Sequence, residues 1–231
     1  MDLILVAILG LVAWCVASEG SWGAALTCLS VILAGLLAMN FFEPLAEFLA
    51  RSMPAWRDRW DIICLVGLFT AFVFGLRMAT DYISPTFIQI QGTFYEVSRW
   101  FCGLLTGYVT MAFLLTAIHT APLPRTFIGF APERLNLFGI VAPDRQWLGF
   151  TQYVSEHALR GNHIFDGPVI VFGETRNEFG NDDVWPSFPI RYATRRERFA
   201  AGGTAARSRS GGMKRRGSSG PKKTKGETGG F

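Results

Sequence analysis

LILVAILGLVAWCVASEGSWGAALTCLSVILAGLLAMNFF, residues 3–42, carries one acidic or basic side chain, Glu19. Two apolar runs, residues 3–17 and 22–42, flank Ser18-Glu19-Gly20-Ser21. A soluble domain cannot hide that much continuous apolar surface. A bilayer can, because its hydrocarbon core of ~30 Å accepts ~20 apolar residues as a helix. The stretch therefore reads as a tight transmembrane hairpin. A cleaved signal peptide is not expected: residue 2 is Asp where a basic n-region would stand, and the second apolar run follows after four residues. Trp14 in Val12-Ala13-Trp14-Cys15 also makes a poor lipoprotein cleavage site.

Composition agrees with the hairpin. Half the chain is hydrophobic and 17% is charged, against about 25% charged residues in a soluble domain. The net charge of +4 is unevenly spread. Residues 201–231 hold eight Lys or Arg and one Glu, a net +7, which leaves −3 for the first 200 residues. The basic balance belongs to a tail and not to a folded nucleic-acid-binding face.

Two further apolar runs follow. Residues 62–79 are interrupted only by Arg77, and residues 100–121 only by His119, each near its end. The expected fold is an all-α membrane protein with four transmembrane helices, at about 3–18, 22–42, 62–80 and 100–121. Arg51, Arg57 and Arg59 lie in the second connection, whereas the first has no Lys or Arg. This bias predicts both termini in the cytoplasm, and Trp56, Trp60 and Trp100 fall where an interfacial aromatic belt would lie. Residues 44–51 read as a short interfacial amphipathic helix, with Leu45, Phe48 and Leu49 opposite a Glu47–Arg51 pair. Residues 86–91 alternate loosely, as in a short strand or re-entrant piece.

Beyond Pro122 and Pro124 the chain changes character. Residues 122–200 are expected to form a small mixed or irregular cytoplasmic appendage. One helix is predicted from Asp144, as N-cap, through Trp147, Phe150, Val154 and Ala158 to a stop at Gly161-Asn162. Residues 169–172 read as a short strand. Residues 201–231, rich in Gly, Ser, Lys and Arg, are predicted to be a disordered basic tail, suited to anionic lipid and not to a specific nucleic acid.

Gly67, Ala71, Gly75 and Ala79 repeat at spacing four in the third helix, and Gly103 and Gly107 in the fourth. Small residues on one helix face allow close backbone approach in lipid. They serve packing within the bundle or between copies of the chain. Glu19, Arg77, Asp81 and Arg99 are predicted near one membrane surface, with Arg77 and Asp81 four apart. A contact from Glu19 to Arg77 or to Arg99 would tie the hairpin to the later helices. These groups are peripheral, as anchors are; a solute path would place an acid or base at mid-depth.

No catalytic or metal site is expected, and no cofactor. Cys15, Cys28, Cys64 and Cys102 fall one per helix without a CxxC, and Cys64 is predicted at the opposite side from the others. His119, His157 and His163 are too sparse for a zinc signature. Glu174 and Asp182-Asp183 fit no calcium loop. Walker, GxSxG, HExxH and dinucleotide motifs are absent from the sequence. The chain is read as a non-enzyme whose partners are the bilayer and either its own copies or other membrane proteins.

Three features resemble a known family. The first helix opens Asp2-Leu3-Ile4-Leu5. The second follows at once through Glu19-Gly20-Ser21-Trp22-Gly23-Ala24-Ala25-Leu26. The fourth opens with Arg99 and runs through Gly103-Leu104-Leu105-Thr106-Gly107. Over residues 2–121 this resembles the colicin V production protein (CvpA) family of small bacterial inner-membrane proteins. Members usually carry a basic residue and Gly after the first helix, where this chain has Glu19-Gly20. They often have Asp-Arg before the helix-four Gly motif, where it has Ser98-Arg99. Residues 143–150 and 192–196 look similar to C-terminal extensions of planctomycete-type members. The resemblance implies an accessory role in bacteriocin (colicin V-like) production or export, or in envelope homeostasis. The alternative reading is a small transporter or channel subunit, its pore made by oligomerisation along helices three and four and lined by Ser30, Thr70, Thr106 and Thr110.

Overall fold

Glu19 alone separates the first two helices, α1 (Asp2–Ser18) and α2 (Gly20–Ser52). The reversal is made by Gly20 at φ +87°, a left-handed conformation that glycine adopts without a Cβ penalty. The computed structural model describes residues 1–83, 92–123, 128–130, 135–158, 165, 169–171, 174–176 and 188–200. A 3₁₀ turn, Pro54–Trp56, leads from α2 into α3 (Arg57–Ile83), and α4 spans Thr93–Thr120. Three helices are long and apolar enough to cross a membrane: α2, the stretch Pro54–Ile83 and α4. Helix α1 is apolar and shorter, at 17 residues.

The four helices run antiparallel in sequence order. Near the start of α1, Leu5 packs with Met111 and Leu115 of late α4. Near its end, Trp14 meets Trp100 edge-on at 6.2 Å between ring centroids. Helix α2 packs on both α3 and α4. The main core lies between them, where Phe69 stacks on Phe113 at 4.1 Å beside Ala34, Ala38, Phe42 and Leu65. One end of the bundle is marked by Glu19 and the other by His119.

The bundle is apolar outside as well as inside. Leu3, Leu11 and Trp14 of α1, Leu29 and Phe41 of α2, Phe74 and Met78 of α3, and Phe101 and Leu104 of α4 are all exposed. A water-soluble monomer rarely shows contiguous apolar surface on this scale. Lipid tails are the solvent that such a surface fits.

The structure departs from the sequence-based expectations on the far side of the core. Residues 44–51 are not a separate interfacial helix, because α2 runs unbroken through Pro44 to Ser52. Proline removes one backbone bond there, but Phe42 and Ala46 on either side are buried in the core, and that packing holds the helix together. The pair Arg51–Glu47 does form, at 2.6 Å.

Within residues 122–200, α5, Phe165 and α6 pack into the bundle's core and do not form a separate appendage. Helix α5 (Pro143–Tyr153) continues as a π-helical turn, Val154–Ala158, and α6 spans Phe188–Ala200. Trp147, Leu148, Phe165, Phe188 and Tyr192 belong to the same buried cluster as Phe42, Phe69 and Phe113. The N-cap of α5 is Ala142, not Asp144, because Pro143 takes the first helical position, which proline favours. Strands β1 (Val169–Val171) and β2 (Glu174–Arg176) pair antiparallel, Val169 opposite Arg176. The expected strand at 86–91, the helix stop at 161–162 and the tail 201–231 lie outside the described residues.

Candidate functional site

At the Glu19 end, the short α1–α2 turn leaves one carboxylate facing the last turns of α3. Arg77 Nη2 bonds Glu19 Oε2 at 2.9 Å, and Arg77 Nη1 lies 3.1 Å from Asp81 Oδ1. Thr27 of α2 donates to the same Glu19 oxygen at 2.9 Å. One guanidinium thus ties the hairpin turn to α3. Arg99 does not join them: it pairs with Glu96 at 3.0 Å and lies over the rings of Tyr95 and Trp100. The seam between α2 and α4 is closed instead by a hydroxyl–hydroxyl bond, Ser21 to Ser98. These ion pairs are partly exposed, and such pairs are worth about 0–1 kcal/mol each.

The small-residue faces have opposite fates. A Cβ on Gly103 would stand 2.7 Å from the Ala13 carbonyl oxygen, and one on Gly107 2.6 Å from that of Leu9. The backbones of α1 and α4 touch at these glycines, so α4's small face is used inside the chain. Gly67, Ala71, Gly75 and Ala79 of α3 are all exposed, and a Cβ on Gly67 or Gly75 would meet nothing within 4 Å. The apolar window of that stretch is 17% buried, against 44% for α2 and 56% for α4.

The His119 end holds a cluster that the sequence reading left apart. His119 Nε2 donates to Asp144 Oδ2 at 2.8 Å, and both side chains are fully buried. The edge of Phe130 meets the imidazole at 4.9 Å, and Phe188 lies at 6.5 Å. Arg196, buried on α6, sits over the other side of this group, 5.2 Å from the Phe130 centroid. Tyr108 bonds Gln146, two residues along α5 from Asp144. Among the described residues, Asp144 Oδ1 and His119 Nδ1 have no hydrogen-bond partner. The nearby hydroxyls of Thr116 and Thr120 are committed to the carbonyls of Ala112 and Ala117. Among the described residues, the dyad is walled in by rings and has no free hydroxyl or thiol beside it to activate. Its geometry is that of a joint between α4 and α5.

His119 was visible as the polar residue ending a long apolar run. The signal for its partner was Pro143, which frees Asp144 from a capping role and lets its carboxylate turn to α4. Trp147 had no such signal. Its ring fills the space over Gly35, where a Cβ would stand 2.5 Å from Cζ2, and it meets Phe113 edge-on at 6.1 Å.

The four cysteines are free thiols. His157 stacks on Tyr153 at 4.5 Å, away from His119. Among the described residues, no three His, Cys, Asp or Glu side chains gather as a metal site. No family model matches the chain, and neither the curated proteins nor the solved structures give a match.

Proposed function

We propose that the chain is a CvpA-like polytopic protein of the bacterial inner membrane, a non-enzymatic scaffold or accessory factor in bacteriocin production or export or in envelope homeostasis. In this reading all four bundle helices cross the bilayer, and both termini and the His119 end face the cytoplasm. The observation that carries it is the distribution of side chains: large apolar groups cover the outer faces of all four helices, and the ionisable groups cluster at the two ends. Helix α1 is short, but it runs beside α4 from Leu5 at Met111 and Leu115 to Trp14 at Trp100, which supports its crossing. The His119 end also carries Arg51, Arg57 and Arg59, as the positive-inside rule favours. The scaffold role rests on the resemblance of residues 2–121, with the basic tail available to anionic lipid.

Affinity purification from native membranes after in-situ crosslinking tests the role. Co-recovery of envelope or secretion proteins in defined stoichiometry is the expected result. Recovery of the chain alone or only with its own copies contradicts it.

The exposed α3 stripe favours a second reading, self-association through α3, as a small channel or transporter subunit would require. The polar residues named for a pore do not share a face: Ser30 and Thr106 are buried within the chain, while Thr70 is exposed and bonded to the Val66 carbonyl. Ion or solute flux in proteoliposomes would support the pore, and silent reconstitution of oligomeric protein would remove it.

A further inference from the structure

Four segments converge on one buried point at the His119 end. Helix α4 brings His119, α5 brings Asp144, the turn after α4 brings Phe130, and α6 brings Phe188 and Arg196. Helix α5 is seated by Trp147, over Gly35 and against Phe113, with Leu148 buried beside it. Helix α6 is seated by Phe188 against Phe42 at 6.3 Å, with Arg191 reaching Glu43 at 3.6 Å. The four bundle helices also hold one another directly. α1 is held to α4 by the Gly103 and Gly107 approaches, and α2 to α3 by their own facing side chains.

The joint is polar where apolar packing would hold more firmly. Replacing both partners of a buried hydrogen bond with apolar groups of the same shape can be nearly neutral or stabilising. Here the pair leaves one oxygen and one nitrogen buried without partners among the described residues, which weakens the closed state. Losing only one partner is far worse, since it strands the other. A contact with these properties holds as a pair, while its unpaired buried atoms favour opening. The outer side of α5 is open, with Phe150 and Tyr153 exposed, and α5 ends in a π-helical turn, an irregularity frequent at functional sites.

We propose that α5 and α6 form a lid on the His119 end, latched by the His119–Asp144 pair, which opens as a unit while the four-helix bundle stays folded. Opening withdraws Trp147 from α2 and uncovers Gly35, Phe42 and Phe113. The lid is independent of which process the protein serves, so it can fail without the scaffold role failing.

Hydrogen exchange read by mass spectrometry on the full chain in lipid nanodiscs tests it. In the wild type, amides of residues 145–153 and 190–196 should exchange at one common rate, at least about tenfold faster than residues 101–117 of α4, as a sub-global opening requires. Exchange of the lid only together with α4 overturns the proposal. His119→Leu and Asp144→Leu should each speed lid exchange at least about tenfold further, with α1–α4 unchanged. The double variant His119→Leu/Asp144→Leu should return to the wild-type rate or below it. A double variant as fast as the singles, or singles that speed α1–α4 equally, shows the pair to be ordinary core and overturns the latch. Should the singles fail to fold, the wild-type rates and the double variant decide alone.

Discussion

Helices α3 and α4 carry the same small-residue spacing and use it in opposite ways. Gly103 and Gly107 lie against the backbone of α1, while Gly67 and Gly75 look outward onto open space. Spacing four places small residues on one helix face, but it does not say what that face meets. In α4 it meets α1, the first helix of the opening hairpin. In α3 it is left to lipid or to another molecule. A GxxxG-type repeat in a polytopic chain is thus a statement about closeness of approach, and the neighbour has to be found from the bundle's order.

The contrast can be broken most sharply at α4. Gly107→Leu would drive a side chain into the Leu9 carbonyl, and neither backbone can yield without parting α1 from α4. We expect a loss of at least about 3 kcal/mol, at the upper end of overpacking costs, seen as loss of folded protein from the membrane and a lowered detergent melting temperature. A stable Gly107→Leu protein would show that α1 is not docked there.

The same substitution on α3 should behave differently. Gly75→Leu has room within the chain, so stability should stay within about 0.5 kcal/mol, as for surface changes. Crosslinking between copies through α3 should fall to background. Unchanged crosslinking and unchanged membrane abundance would leave the α3 face to lipid and remove the stripe from the oligomer reading.

The smallest effect is expected at the Glu19 end, whose ion pairs are partly exposed. Glu19→Lys should cost about 1 kcal/mol or less, since it sets two cations together. Adding Arg77→Glu should restore the melting temperature. A double reversal no better than the single would mean that the turn is held by Gly20, Ser21 and Ser98 without help from the charges.

The sequence revealed the parts of this fold that depend on the solvent. The apolar runs locate α1, α3 and α4 and the body of α2, because a bilayer imposes length and polarity on any helix crossing it. The Glu19–Arg77 contact was within reach too, since one turn in a tight hairpin fixes which end of α3 it meets; choosing Arg77 over Arg99 needed the actual packing. What could not be read depends on contacts distant in sequence. Pro44 signals a break in isolation, yet Phe42 and Ala46 are held by the core and α2 runs on. Asp144 looks like a cap until Pro143 is placed at the first helical position. Trp147 docks over Gly35 across 112 residues of chain, a pairing with no local signature. The polar joint at His119 was missed for the same reason: each half looks ordinary alone.

The central proposal is that four helices cross the bilayer, with the Glu19 end outside and the His119 end in the cytoplasm. In a cysteine-free background, Tyr82→Cys and Met53→Cys place single thiols at exposed positions near opposite ends of α3. A membrane-impermeant maleimide applied to intact spheroplasts should label the Tyr82→Cys protein and spare the Met53→Cys protein. Both should label once the membranes are opened. Labelling of Met53→Cys in intact spheroplasts, with or without Tyr82→Cys, would contradict the account.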